Sequence, residues 1–299
     1  VSGDAMFGSS GVWDADGTLV LTVCCGLNTS SGVVLSFDLV NGADSVGSRD
    51  LGVGFHVGGG YGVQVDATGM AEVAFVGLGL SLSAVDVYRP IFTDRSIGQS
   101  NPIAGVQNTF TVTLGANLNL PDGSTVTLSG LSGMATGSNA SLGLTYVSGD
   151  AMFGSSGVWD ADGTLVLTVC CGLNTSSGVV LSFDLVNGAD SVGSRDLGVG
   201  FHVGGGYGVQ VDATGMAEVA FVGLGLSLSA VDVYRPIFTD RSIGQSNPIA
   251  GVQNTFTVTL GANLNLPDGS TVTLSGLSGM ATGSNASLGL TYVSGDAMF

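Results

Sequence analysis

Thr109-Phe110-Thr111-Val112-Thr113-Leu114 sets three threonines on one side of an extended backbone and Phe, Val and Leu on the other. Successive side chains of a strand point to opposite faces, so a period of two marks a half-buried strand. Ser124-Thr125-Val126-Thr127-Leu128 repeats the arrangement, with Pro121-Asp122-Gly123 between the two. Proline presets φ and glycine accepts a positive φ. The two segments therefore read as adjacent antiparallel strands joined by a turn.

The same rule extends outward. Residues 32–40 (GVVLSFDLV) place Val33, Leu35, Phe37 and Leu39 opposite Val34, Ser36, Asp38 and Val40. Trp13-Asp14-Ala15-Asp16-Gly17-Thr18 reads as a hairpin turn feeding a strand over 19–25. Further strands are expected over 51–57, 61–65, 70–82, 85–92 and 141–146. Helix signals are nearly absent: lysine is missing, and glycine interrupts almost every run that could reach three turns. Many short strands separated by Gly, Asn, Asp or Pro predict an all-β fold, an immunoglobulin-like β-sandwich.

VSGDAMF opens the chain at Val1 and returns at Val147 and Val293, a period of 146 residues without a single change between copies. Solenoid units run at about 20–50 residues, whereas an independent domain is typically about 100–150. Tandem β-sandwich repeats are therefore expected. Residues 1–93 form the C-terminal part of one unit, 94–239 a complete unit, and 240–299 the N-terminal part of the next. The start at Val1 and the stop within the phrase at Phe299 read as a window on a longer array.

Charge is sparse and one-sided, with 23 acidic against 6 basic residues and a net charge of -17. Phosphate binding needs Lys and Arg to displace counterions, so nucleic acid is an unfavoured partner, as is an anionic membrane surface. The most apolar run, 73–85, is flanked by Glu72 and Asp86 and falls short of the roughly 20 residues of a membrane helix. Neither nucleic-acid binding nor membrane insertion is expected.

Ser96-Ile97-Gly98-Gln99-Ser100-Asn101-Pro102 leads into the 108–114 strand, then into 122–133 (DGSTVTLSGLSG), Ala140-Ser141-Leu142, Trp159-Asp160 and the GTLVLTV phrase of 17–23. This order resembles the giant tandem-repeat proteins of algae and other protists, whose units carry SIGQS-P, NT-TVTL and GTLVLTV phrases. The resemblance implies large extracellular or cell-surface proteins built of repeated β domains, with no enzymatic residues. Cys24-Cys25 departs from the phrase, which usually continues with small residues.

Cys24, Cys25, Cys170 and Cys171 are the only cysteines. Adjacent positions do not fit zinc-cluster spacing. The alternatives are a bond between neighbours, a bond to another repeat or chain, and unbonded thiols. Cys25 shares strand parity with Leu19, Leu21 and Val23, which predicts one buried and one exposed sulfur. Asn28 and Asn139, copied at Asn174 and Asn285, head N-x-[ST] acceptor sequons in expected turns. The threonine faces offer O-linked acceptors or a water-ordering surface, against the plainer reading of a half-solvated sheet.

Asp14-Ala15-Asp16-Gly17 begins like a calcium loop but lacks the acid at loop position twelve, so a plain turn is favoured. The 58–62 glycine run has no P-loop lysine. His56 stands alone in its period, without a nucleophile-elbow phrase. No cofactor, metal site or catalytic set is expected. The sequence points to a structural protein whose partners are other copies of itself, forming a glycosylated extracellular filament or surface fibre. An adhesin or coat module binding glycan, calcium or a surface is the alternative.

Overall fold

The computed structural model describes residues 7–24, 33–58, 63–171, 178–285 and 287–295. Among them every regular element is a strand. The chain forms two compact units, Val1–Phe75 with Leu82–Arg89, and Val76–Ser81 with Pro90–Phe299.

In the first unit β1 (Val12–Asp14) pairs antiparallel with β2 (Thr18–Val20), and β3 (Gly52–Val57) with β4 (Val63–Gly69). The β1–β2 connection is the expected Asp-Gly turn. Gly17 takes φ +98°, and its N–H donates to the Asp14 carbonyl at 3.0 Å. β5 (Phe75–Gly77) and β6 (Leu80–Leu82) form a further two-stranded sheet.

The second unit holds two extensive sheets. One contains β7 (Phe92–Gln99), β8 (Gln107–Ala116), β11 (Thr145–Ser148), β14 (Val179–Val186) and β17 (Ala217–Val219), in the order β11-β14-β8-β7-β17. The other contains β9 (Thr125–Ser129), β10 (Asn139–Gly143), β12 (Ser156–Asp160), β13 (Thr164–Thr168), β15 (Gly198–Val203) and β16 (Val209–Gly215), in the order β10-β12-β13-β9-β15-β16. All neighbours are antiparallel except β17, which runs parallel to β7.

The architecture is all-β and sandwich-like. Its buried hydrophobic core runs from Phe92 to Val233. Phe92 of one sheet meets Phe201 of the other edge-on at 4.8 Å, and Phe110 stacks on Phe183 at 5.7 Å. Trp159 is buried, and its indole N–H donates to the Thr136 carbonyl at 3.1 Å. That bond removes the cost of an unpaired donor. Along β14, Val179, Leu181, Phe183 and Leu185 face inward while Val180, Ser182, Asp184 and Val186 do not, the alternation read from their copies at 33–40.

Four expectations need correction. The segments 109–114 and 124–128 are not neighbours, because β8 and β9 lie in different sheets. The link between them is too long for a tight hairpin and carries Leu118 and Leu120, both buried, so it crosses between layers instead of turning back. Residues 141–146 split into β10 and β11, which also belong to different sheets. The strand expected over 70–82 is broken at Leu78 and Gly79, whose φ of +53° and +72° make a tight turn. Finally, no extended strand covers 85–92; Val87 makes an isolated bridge to Val46 before β7 begins at Phe92.

Beyond the sandwich, β18 (Phe221–Gly223) pairs with β19 (Leu226–Leu228), and β20 (Phe238–Gln245) with β21 (Phe256–Ala262). The β20–β21 register, Phe238 opposite Ala262, repeats that of β7–β8, Phe92 opposite Ala116.

Candidate functional site

A polar clamp forms where the sandwich hands over to the β20–β21 hairpin. Tyr234 ends the core: its N–H donates to the Pro102 carbonyl at 2.7 Å, and its carbonyl accepts from Ala104 at 2.9 Å. Arg235 follows, with its N–H on Ser191 Oγ at 2.9 Å and an exposed ion pair to Asp190 at 3.3 Å. Pro236 has no N–H to satisfy. The Ile237 N–H donates to Asn263 Oδ1 at 2.9 Å. Every backbone donor of residues 234–237 is thus bonded.

Asn263 is the hub. Its side-chain amide donates to the Arg235 carbonyl at 3.0 Å, and its backbone N–H donates to the Ile237 carbonyl at 3.1 Å. Its carbonyl accepts the Tyr234 hydroxyl at 2.9 Å. Two residues on, the Asn265 N–H donates to the Leu224 carbonyl at the β18–β19 turn, 2.9 Å. Leu224 and Gly225 both take positive φ there, and a Cβ on Gly225 would stand 2.8 Å from Asn265 Nδ2. Only glycine lets the turn approach this closely.

Part of the arrangement recurs one period earlier. The Ile91 N–H donates to Asn117 Oδ1 at 3.0 Å, Asn117 N–H to the Ile91 carbonyl at 3.1 Å, and Asn119 N–H to the Leu78 carbonyl at 2.8 Å. The alternation of polar and apolar residues that marked the strands did not mark these asparagines. Their signal was available: in Gly115-Ala116-Asn117-Leu118-Asn119-Leu120, Asn alternates with Ala and Leu, all three buried, directly after a strand.

Of the residues expected to carry modification or crosslinks, Asn139 is exposed at the start of β10, and its Oδ1 accepts from Ser141 N–H at 2.9 Å. Asn285 makes the same bond to Ser287 at 2.8 Å. Asn28, Asn174 and Cys25 lie outside the described residues. Cys170 and Cys171 are joined to each other by a disulfide, which takes the neighbour-bond alternative for this copy. Both are exposed; the expectation of one buried sulfur fails because β13 ends at Thr168, so strand parity no longer applies. Cys24 is exposed as well.

Thr111 faces solvent on the five-stranded sheet, and Thr109 Oγ1 donates to Asp184 at 2.6 Å, which Gln107 Nε2 also meets at 2.9 Å. Comparison of the chain with protein-family models, curated proteins and solved structures gave no match.

Proposed function

We propose that this protein is structural: immunoglobulin-like β-sandwich units, repeated in tandem at a period of 146 residues, build an extracellular filament or surface fibre. The observation that carries the reading is the Asn263 clamp, which bonds the connecting segment at four points, and two of those bonds recur at Asn117. A flexible string of domains has no use for a linker whose backbone donors are all satisfied; an array that must hold its shape does. The unit's topology supports the immunoglobulin-like assignment. Neighbours β7, β8 and β14 correspond to strands A, B and E, and neighbours β9, β15 and β16 to C, F and G.

Identical units with identical connections present one repeated heterologous contact, and such a contact gives an open filament where its rotation does not close a ring. The partners are then other copies of the same unit. N-linked glycan at Asn139 and Asn285 fits their exposure and turn geometry. Electron microscopy of the purified protein tests the reading: fibres with a regular axial repeat are expected, and separate particles that never associate would refute it.

A further inference from the structure

The edge of β14 that faces away from β8 is covered by two different stretches of chain. Val180, Leu181 and Ser182 pair with β11, Ser182 lying opposite Thr145. At the far end the Val186 N–H donates to Thr136 Oγ1 at 2.6 Å, and the Val186 carbonyl accepts from the Ala135 N–H at 2.8 Å. Among the described residues neither stretch pairs with Asp184. Backbone groups alternate in direction along a strand. Those of Asp184, two residues before Val186, therefore point into the gap as those of Val186 point at Thr136 and Ala135.

The gap has its cause in the order of the elements. The chain leaves β10, in the six-stranded sheet, at Gly143 and enters β11, in the five-stranded sheet, at Thr145. Leu144 makes the crossing, its N–H on the Ser155 carbonyl at 2.9 Å. A chain that changes sheets here does not also run on beside β14. What remains is a cleft of about 310 Å³ whose lining includes Thr109, Leu142, Gly143, Thr145, Ser182 and Asp184. That volume stands at the small end of ligand sites.

Register puts Thr109 opposite Asp184 and Thr145 opposite Ser182, so the four polar side chains share one face. The Asp184 carboxylate is oriented in advance: Oδ1 accepts from the Thr109 hydroxyl at 2.6 Å and Oδ2 from Gln107 Nε2 at 2.9 Å. A carboxylate has about four lone-pair sites, so each oxygen can accept once more. The Thr145 and Ser182 hydroxyls both donate and accept. None of the lining residues is cationic. A phosphate or carboxylate would find no counter-charge there and would be repelled by Asp184. An opening one residue wide does not admit another strand. Side-by-side donors and acceptors suit a ligand whose own groups do both, and Leu142 offers its C–H surface an apolar wall.

We propose that this cleft binds one neutral sugar ring, a hexose or N-acetylhexosamine, through the Asp184 carboxylate and the Thr145 and Ser182 hydroxyls. The site is independent of the fibre reading.

Saturation-transfer NMR on the 299-residue chain tests it, with glucose, galactose, mannose and N-acetylglucosamine as probes. Glucuronate and guanidinium serve as the anionic and cationic comparators. Two variants remove the site at positions that tolerate change. Asp184 is exposed, and Asp184→Ala takes away the carboxylate. Gly143 lies outside the left-handed region, and a Cβ there meets nothing within 4 Å, so Gly143→Val narrows the cleft without strain. At least one neutral sugar is expected to bind in the millimolar range, with glucuronate weaker than glucose. Each variant is expected to weaken binding roughly tenfold or more, the loss of one hydrogen bond to a charged group. Asp212→Ala, at an exposed position on β16, is expected to bind as wild type does. Absence of transfer to every neutral sugar overturns the proposal, as does sugar binding that survives both variants. Guanidinium bound in place of the sugars overturns it in favour of a cation site. Fibres that bind no sugar refute the site alone, and sugar binding by a protein that never forms fibres refutes the fibre alone.

Discussion

Tyr234 donates its hydroxyl proton to the Asn263 carbonyl at 2.9 Å while its own backbone is bonded to Pro102 and Ala104. One residue thus belongs to the completed sandwich through its main chain and to the following hairpin through its side chain. Removing the hydroxyl leaves the main-chain pairing untouched and loosens only the onward connection.

Asn263→Ala deletes the bonds to Arg235 and Ile237, each worth a net of about 0.5–1.5 kcal/mol. The expected outcome is several-fold faster chymotryptic cleavage after Tyr234, with Tyr234→Phe giving a smaller increase. Cleavage at the wild-type rate in Asn263→Ala would mean the side-chain amide does not hold the linker.

Trp159→Ala and Trp13→Ala make the same change in the same local sequence. Trp159 is fully enclosed, so its loss is expected to cost about 3–5 kcal/mol in denaturant unfolding. Trp13 is 46 % exposed, and its loss is expected to shift unfolding by no more than about 0.5 kcal/mol. Equal effects would contradict the difference in packing between the two copies.

Gly130 and Gly276 both take positive φ, +88° and +84°. A Cβ on Gly130 would collide with the Asp196 carbonyl, whereas at Gly276 it would meet open space. Gly130→Ala should therefore cost the roughly 1–2 kcal/mol of a left-handed alanine plus the shift of a β15-flanking segment, and Gly276→Ala the first part alone. Thermal melts of the two variants separate the contributions.

Burial raises the Tyr146 hydroxyl above its usual value of 10.0, against a smaller opposing effect of the Phe153 N–H that donates to it at 3.0 Å. A raised folded-state value means the folded protein holds this proton more tightly than the unfolded chain. The contribution is full below pH 10.0 and is lost as pH climbs through the raised value. Tyr146→Phe is expected to lower the melting temperature at pH 8, where the Phe153 N–H loses its acceptor, and to narrow the drop between pH 9 and 11. A drop as steep as the wild type's would remove Tyr146 as a source of alkaline sensitivity.

Asn187→Ala leaves the carbonyls of Asn101 and Ile103 without their donor inside a buried network. Each group left unpaired costs about 1–3 kcal/mol. Unfolding of this variant at a lower denaturant midpoint, with Asn41→Ala close to wild type, is the expected pair of results.

What could be read from the residues was local. The alternation of 33–40 appears in its copy β14, and the Asp-Gly turn closes both β1–β2 and β12–β13. Which strands lie side by side was not legible. Thr109–Leu114 and Ser124–Leu128 carry the same alternation whether they pair with each other or, as found, with β14 and β13. Burial was still less legible, since Phe37 and Phe183 have the same neighbours in sequence and opposite surroundings in space. The clamp escaped notice because an asparagine's value depends on which carbonyl and which N–H the fold brings to it. No nearby residue names those partners.

In the array proposed above, a connection held as Asn263 holds residues 234–237 has an outcome for form. Repeating one fixed rotation and translation generates a screw, so the pitch of an assembled array would be encoded in a handful of atoms around Asn263 and its counterparts. A change of a few degrees there, copied into every unit, would wind the whole object differently while leaving each sandwich as it was.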